Sequence, residues 1–92
     1  MTATPRDRAE IETALRDYLM ENSGVPISGE IDPDENLLDS GILDSLGIAE
    51  VTEFIESNFS LTVDEEEITS ENFRTLNSLS DFCHSKITAA AA

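Results

Sequence analysis

Apolar residues recur every three or four positions in three stretches of the chain, the spacing that collects side chains on one face of an α-helix. The first stretch predicts a helix over residues 6–22, with Thr4 as its N-cap, Pro5 at its first position, and Gly24 and Pro26 after its end. Its apolar face consists of Ile11, Ala14, Leu15, Tyr18 and Leu19. We therefore expect this helix to pack along one side.

The other two stretches predict a helix over residues 45–58 and a last helix that begins near Thr75. On the middle helix the apolar residues are Leu46, Ile48, Ala49, Val51, Phe54, Ile55 and Phe59. On the last helix they are Leu76, Leu79, Phe82, Cys83 and Ile87. The alanines at 89–92 have no apolar pattern to pack with, so we expect order over about residues 5–88 and a frayed tail.

The segments between the helices complete the predicted fold. Residues 23–43 hold three of the four glycines and two of the three prolines, which indicates a long loop of the kind that is often functional. The apolar residues expected to hold this loop on the core are Leu37, Leu38, Ile42 and Leu43. Residues 61–63 suit a short strand but have no alternating partner, and Asp64 suits the cap of a short helix that ends at Ile68.

These elements describe a small all-α bundle of three main helices and one short helix, with a long loop after the first helix. A chain of 92 residues has room for one domain, which we place over residues 1–92. We see no apolar run that could span a membrane and no secretory signal. The single cysteine cannot form an internal disulfide, so we expect a cytoplasmic protein.

The charge of the chain narrows the function classes. Five Lys and Arg residues oppose twenty Asp and Glu residues, giving a formal net charge of −15, so nucleic acid and anionic membranes would be repelled. Sixteen of the acidic residues lie between Arg16 and Arg74, where no basic residue occurs. This acidic middle is either a solvated shell or a surface for basic partners, and an acidic mimic of nucleic acid is a further alternative.

Catalytic patterns are incomplete in this sequence. The one histidine, His84, is adjacent to Cys83 on a predicted helix, where neighbouring side chains point about 100° apart and form no catalytic dyad. We therefore expect Cys83 in the core, His84 in solvent, and no enzyme activity.

Residues 32–43 match part of an EF-hand calcium loop. Asp32, Asp34 and Asn36 occupy its ligand positions 1, 3 and 5. Leu37 replaces the glycine of the turn, and Leu43 replaces the bidentate glutamate that is the strongest ligand. We expect no specific metal site, and a calcium-responsive helical module is kept as an alternative.

Ser45 has the setting of a modification site. It follows a long loop that contains Gly41, and it opens an acidic amphipathic helix. A phosphate on an exposed hydroxyl there would lie near the positive end of the helix dipole. Serine is also a common helix cap, so a plain cap in an acidic interaction domain stays open.

Residues 36–46 have the order Asn-Leu-Leu-Asp-Ser-Gly-Ile-Leu-Asp-Ser-Leu, and an acidic helix follows through Glu56. This stretch, with support from residues 63–68 and 73–76, resembles the acyl carrier protein family, which includes peptidyl and aminoacyl carriers. The resemblance implies that a phosphopantetheinyl transferase attaches 4′-phosphopantetheine from coenzyme A to Ser45. It also implies a discrete, non-catalytic carrier whose arm thiol holds an acyl group as a thioester.

The resemblance further implies contacts to the cofactor and to partner enzymes. The residues concerned are Asp44 and Leu46 beside the modified serine, and Asp44, Glu50 and Glu56 on the partner face. We add Glu53 from its helical spacing and Ile48 as an apolar neighbour. The expected partners are the transferase, an acyl- or aminoacyl-loading ligase or acyltransferase, and downstream enzymes with basic docking faces. We expect the carrier to be a monomer.

One residue departs from the fatty-acid carriers of this family. Many of them have an acid directly after the Ser-Leu pair, whereas this chain has Gly47 followed by Ile48. The string Leu-Asp-Ser-Leu-Gly at residues 43–47 is similar to discrete carriers loaded by adenylating ligases, including the D-alanine carriers of cell-wall modification. This difference argues against a role in ordinary fatty-acid synthesis. It does not identify the cargo, which could be a fatty acyl, polyketide, aminoacyl or peptidyl group.

Overall fold

The computed structural model describes residues 7–23, 25–27 and 29–91, with side chains as far as residue 89. These parts of the chain form α1 (Arg8–Asn22), α2 (Ser45–Phe59), α3 (Ser70–Phe73) and α4 (Leu76–Ala91), and a 3₁₀ helix at Glu65–Glu67 precedes α3. The described ranges contain no strand. The predicted all-α bundle, with three long helices and a long first loop, is confirmed.

α1 begins at Arg8 because the side chain of Asp7 caps it, accepting a hydrogen bond from the Ala9 amide at 3.1 Å. The predicted start at residue 6 is wrong, because the backbone of Asp7 is extended and the helix begins after it. Thr4 and Pro5, the predicted cap and first position, lie outside the described ranges. The buried side of the helix consists of Ile11, Leu15 and Leu19. These are residues that the helical spacing places on one face.

α2 begins and ends at local signals in the sequence. Asp44 caps its start by accepting a hydrogen bond from the Gly47 amide at 2.7 Å. At its end Ser60 adopts a left-handed φ of 56°, and its N–H donates to the Glu56 carbonyl. The buried side consists of Val51, Thr52, Ile55 and Phe59. The predicted helix over residues 45–58 is confirmed to within one residue.

The connection from α2 to α4 contains a helix that we did not predict. Residues 61–63 form no strand, and the 3₁₀ helix after Asp64 occupies the place of the predicted short helix. Thr69 then caps α3 by accepting a hydrogen bond from the Asn72 amide at 3.2 Å, and α3 buries Phe73 completely. Four residues are too few to show a helical period, so the apolar pattern gave no signal here.

α4 follows Thr75 as predicted, because the Thr75 hydroxyl accepts a hydrogen bond from the Ser78 amide at 2.9 Å. The helix continues through Ala91, so residues 89–91 are helical where we expected a frayed tail. No helix in the described part of the chain combines the length and the apolar character that crossing a membrane requires.

The core lies between the three long helices, with α1 packed against both α2 and α4. Burial of apolar surface here is the main force that holds the bundle together. The long loop covers one side of this core with Ile31, Leu37, Ile42 and Leu43. Three of these four were expected to hold the loop in place, whereas Leu38 is only partly buried.

Candidate functional site

Ser45 is the first residue of α2 and is exposed to solvent. The helix cap is the carboxylate of Asp44, which accepts the hydrogen bond from the Gly47 amide. The interpretation of Ser45 as a plain helix cap is therefore wrong, because its neighbour fills that role. Leu46 is 69% exposed, so the serine hydroxyl lies on an open surface.

The last residues of the long loop hold the start of α2 against the core. Ile42 and Leu43 are buried, and the Leu43 amide donates to the Leu37 carbonyl at 3.0 Å. Gly41 has a φ of 82°, a conformation that glycine adopts without strain. A Cβ atom on Gly41 would also lie 3.3 Å from Val25 Cγ1. Glycine is thus required by the turn that leads into α2.

Gly47 leaves room for the helix cap. A Cβ atom on this residue would lie 3.2 Å from Asp44 Oδ1 and 3.3 Å from Leu43 Cδ1, so its neighbours would have to shift. An acid at this position would also bring a second carboxylate close to that of Asp44. A side chain at this position would therefore require small shifts of the Asp44 and Leu43 side chains, which glycine avoids.

The start of α2 suits a phosphodiester. The Ile48 amide donates to the Asp44 carbonyl at 2.8 Å, and the Gly47 amide donates to the Asp44 side chain. The amides of Ser45 and Leu46 precede the hydrogen-bond ladder of the helix. Their N–H groups and the positive end of the helix dipole favour negative charge near the Ser45 hydroxyl. The residues present therefore fit an anionic group attached to Ser45.

The exposed face of α2 carries two acids that form no ion pair with the other described residues. Glu50 and Glu53 are exposed, and Leu46 lies on the same side, one turn before Glu50. Glu56 differs, because it is half-buried and its Oε2 accepts a hydrogen bond from the Val63 amide at 2.8 Å. Glu56 therefore holds the connection that follows α2 in place. One of its two carboxylate oxygens is used for this bond within the chain.

Ile48 and Tyr18 also change the predicted picture of this face. Ile48 packs partly against the core, so only part of its side chain is accessible. Tyr18 of α1 stacks on Phe54 of α2 with ring centroids 4.3 Å apart. Burial, followed by the charges of Glu50 and Glu53, raises the pKa of Tyr18. Tyr18 thus borders the acidic face, a contact that helical spacing could not reveal because spacing does not show which helices meet.

The ion pairs of the described residues lie away from this face. They join Arg8 to Glu12 and Asp81, Arg16 to Glu12, and Lys86 to Glu67. These pairs link residues within α1, α1 to α4, and the 3₁₀ helix to α4. Within the described part of the chain, none of these pairs includes Glu50 or Glu53.

Because the acidic residues repel one another, we expect added salt or divalent cations to raise the melting temperature. The rise should be gradual and similar for magnesium and calcium, since screening of charge needs no specific site. Scanning calorimetry across a salt series measures the rise, and isothermal titration with calcium is its control. A single saturable calcium site of sub-micromolar affinity would contradict this expectation.

The family model described as "Phosphopantetheine attachment site" matches residues 13–83 of the chain, well over half of its length. The chain belongs to the phosphopantetheine-binding carrier protein family. It is 34% identical to Aminoacyl carrier protein 2 of Bradyrhizobium diazoefficiens over 67 residues, which cover 73% of this chain and 71% of the relative. It is 41% identical to the D-alanyl carrier protein of Streptococcus suis over 46 residues, which cover 50% of this chain and 58% of that relative. The predicted family and its cofactor, 4′-phosphopantetheine, are confirmed.

The cysteine of this carrier protein is unsuited to hold a thioester. Cys83 is fully buried in α4, as predicted, and burial raises the pKa of its thiol to about 12. The reactive thiolate is therefore scarce at neutral pH. His84 is half-buried rather than fully in solvent.

We expect the unmodified carrier protein to react slowly with iodoacetamide at pH 7, because Cys83 is buried and protonated. The carrier with its phosphopantetheine arm should show one fast-reacting thiol under the same conditions. Labelling in denaturant, which exposes Cys83, is the control for the total number of thiols. Fast labelling of the unmodified, folded chain would mean that Cys83 is accessible.

The residues that match a calcium loop make other contacts in this carrier protein. Asp32 Oδ1 accepts a hydrogen bond from the Asp34 amide at 2.9 Å, and Asn36 Oδ1 accepts from two amides that follow it. Asp34 Oδ1 accepts from Asn77 Nδ2 at 2.7 Å. These side chains close turns and fasten the loop. Among the described residues, no cluster of three or more His, Cys, Asp or Glu side chains is placed to hold a metal ion.

Proposed function

We propose that this chain holds an acyl or aminoacyl group as a thioester on a 4′-phosphopantetheine arm attached to Ser45. The observation that carries the proposal is the place of Ser45, exposed at the first residue of α2 with the cap supplied by Asp44. Membership of the phosphopantetheine-binding family supports the cofactor. The chain is then the substrate of a phosphopantetheinyl transferase and not itself an enzyme.

In this proposal the residues of the chain present the hydroxyl and leave catalysis to the transferase. Asp44 fixes the start of the helix, and the amides of Ser45 and Leu46 favour the negative charge of the phosphodiester. Ser45 needs no activating base from this chain because the transferase provides it. The thiol at the end of the bound arm supplies the thioester chemistry.

We assign partner docking to the exposed face of α2 that holds Leu46, Glu50 and Glu53. The transferase, a loading ligase or acyltransferase, and downstream enzymes would each present a basic face to a monomeric carrier. Because dissolved salt screens such ionic contacts, the carrier can dissociate from each enzyme after the reaction. Glu56 and Ile48 stay within this proposed face, although both also make contacts inside the chain.

An aminoacyl group is the cargo that has the most support. Both relatives are named as aminoacyl or D-alanyl carriers. Gly47 also stands where many fatty-acid carriers have an acid, and a Cβ atom there would lie 3.2 Å from the capping carboxylate of Asp44. Loading by an adenylating ligase follows from such a cargo. Its need for ATP, together with coenzyme A for the arm, supports a cytoplasmic setting.

The proposal is tested by incubating the chain with coenzyme A and a broad-specificity transferase, followed by intact mass spectrometry. We expect one phosphopantetheinyl group per chain, and one aminoacyl group after addition of ATP and a ligase for small amino acids. A chain that stays unmodified beside a carrier that is loaded in the same tube would favour the alternative of an acidic interaction module. If the chain accepts a fatty acyl group but no aminoacyl group, the proposed carrier function stands and the proposed aminoacyl cargo is refuted.

A further inference from the structure

Asn77, in the first turn of α4, joins three parts of the chain. Its backbone amide donates to the Pro33 carbonyl at 3.1 Å, and its Nδ2 donates to Asp34 Oδ1 at 2.7 Å. From the other side, Arg8 Nη2 donates to Asn77 Oδ1 at 3.0 Å and to the Asn77 carbonyl at 3.2 Å. Both ends of the side-chain amide are therefore used, one toward the long loop and one toward α1.

The loop that Asn77 holds leads to Ser45. Further along this loop, the Leu37 amide donates to the Arg74 carbonyl, just before α4, at 2.7 Å. The Leu43 amide in turn donates to the Leu37 carbonyl at 3.0 Å. Ser45 follows Leu43 by two residues. The hydrogen bonds that hold the loop on the start of α4 therefore also restrain the chain just before Ser45.

Loss of the Asn77 side chain would leave the core intact. Asn77 is half-buried, whereas its neighbours Leu76 and Leu79 are fully buried in the core. Arg8 keeps its two carboxylate partners when the amide is removed. The effect of Asn77 is therefore concentrated on the loop.

We propose that Asn77 is a positioning residue for the modification of Ser45, an inference that rests on the proposed function. By holding the long loop on α4, Asn77 makes the end of the loop and the first turn of α2 present one shape to the transferase. A loop that has lost the side-chain bond from Asn77 to Asp34 keeps its backbone bonds to Asn77 and Arg74 but samples other shapes more often. The apparent affinity then falls with the fraction of competent chains. KM for the carrier therefore rises, while kcat, which reflects events in the bound complex, stays near its native value.

The test compares Asn77→Asp with the double variant Asp34→Asn/Asn77→Asp. The single variant sets two carboxylates against each other, whereas the double variant exchanges the two side chains and restores both the hydrogen-bond pairing and the native net charge. We expect KM for the carrier to rise about fivefold in the single variant and to return to within about twofold in the double variant. In both variants kcat should change by less than about twofold.

Asn72→Asp is the matched control. Asn72 Nδ2 donates to the Glu67 carbonyl at 2.8 Å, so this substitution makes the same chemical change at a hydrogen-bonded asparagine outside the loop. It should load like the native chain. Circular dichroism checks the folding of every variant. Asn77→Ala, which removes the side-chain bond to Asp34 without adding charge, replaces the single variant if that one unfolds.

Hydrogen exchange gives a second readout on the free carrier. The amides of Leu37 and Leu43 should exchange about fivefold faster in Asn77→Asp, because the loop opens locally. The amide of Leu79, which donates to the Thr75 carbonyl at 3.0 Å at the start of α4, should keep its native protection. Equal acceleration at all three amides would mean global destabilisation and would overturn the positioning role.

Three kinetic results would also overturn the inference and leave the proposed function standing. They are a native KM in Asn77→Asp, a double variant that fails to recover, and an equal loss in Asn72→Asp. In each case the native chain still accepts a phosphopantetheinyl group, so the proposed function is unaffected. A native chain that accepts no group would refute the proposed function, and this inference with it.

Discussion

We expect Ser45→Ala to abolish the addition of a phosphopantetheinyl group while the chain stays folded. The substitution removes the oxygen that would form the phosphodiester. Because Asp44, and not Ser45, caps α2, the free energy of unfolding should change by less than about 0.5 kcal/mol. Intact mass spectrometry after incubation with the transferase measures the first effect, and urea denaturation measures the second.

Ser40 provides the matched control for this variant. Its hydroxyl is half-buried and donates to the Leu37 carbonyl at 3.3 Å in the turn before α2. Ser40→Ala should lose about 1 kcal/mol of stability and still accept one group. Modification of Ser45→Ala at the native rate would place the attachment site elsewhere, and loss of modification in both variants would point to the turn instead of the Ser45 hydroxyl.

Glu50→Lys should slow loading mainly by weakening the association with the transferase. Glu50 is exposed beside Glu53, and the described ion pairs leave both acids free. An exposed ionic contact is worth about 0.2–1 kcal/mol, so Glu50→Gln should reduce the loading rate by up to about fivefold and charge reversal should reduce it further. Initial rates at low and high salt measure this, and the loss should shrink at high salt.

Glu10→Lys is the control for overall charge. Glu10 lies in the first turn of α1, about two turns from Tyr18, which borders the acidic face. The substitution changes the net charge by the same amount, and we expect loading close to that of the native chain. If both reversals slow loading alike, the effect comes from total charge, and the acids of α2 are only a solvated surface.

Most of the fold was predictable because its signals are local. Helical spacing identified the buried faces of α1 and α2, and the loop was evident from its glycines and prolines. The cap of α2 was harder, since Asp44 and Ser45 are both good capping residues. Only the folded geometry shows that the Asp44 carboxylate reaches the Gly47 amide. α3 was missed because one helical turn shows no period.

The site was only partly predictable because some of its contacts join segments that are far apart in the chain. Spacing places Glu56 on the polar side of α2, but it does not show that the Val63 amide comes within 2.8 Å of the Glu56 carboxylate. Asn77 carries no motif, and its link to Asp34 forms only when α4 meets the long loop. Roles of this kind follow from packing and not from local sequence.

Fragmentation mass spectrometry of the loaded native chain identifies the residue that carries the phosphopantetheinyl group. We predict that the mass of one phosphopantetheinyl group is found on Ser45, within the peptide that contains the end of the long loop and the first turn of α2. If the group is found on Ser40 or on any other residue, or is absent after incubation with an active transferase, Ser45 is not the attachment site.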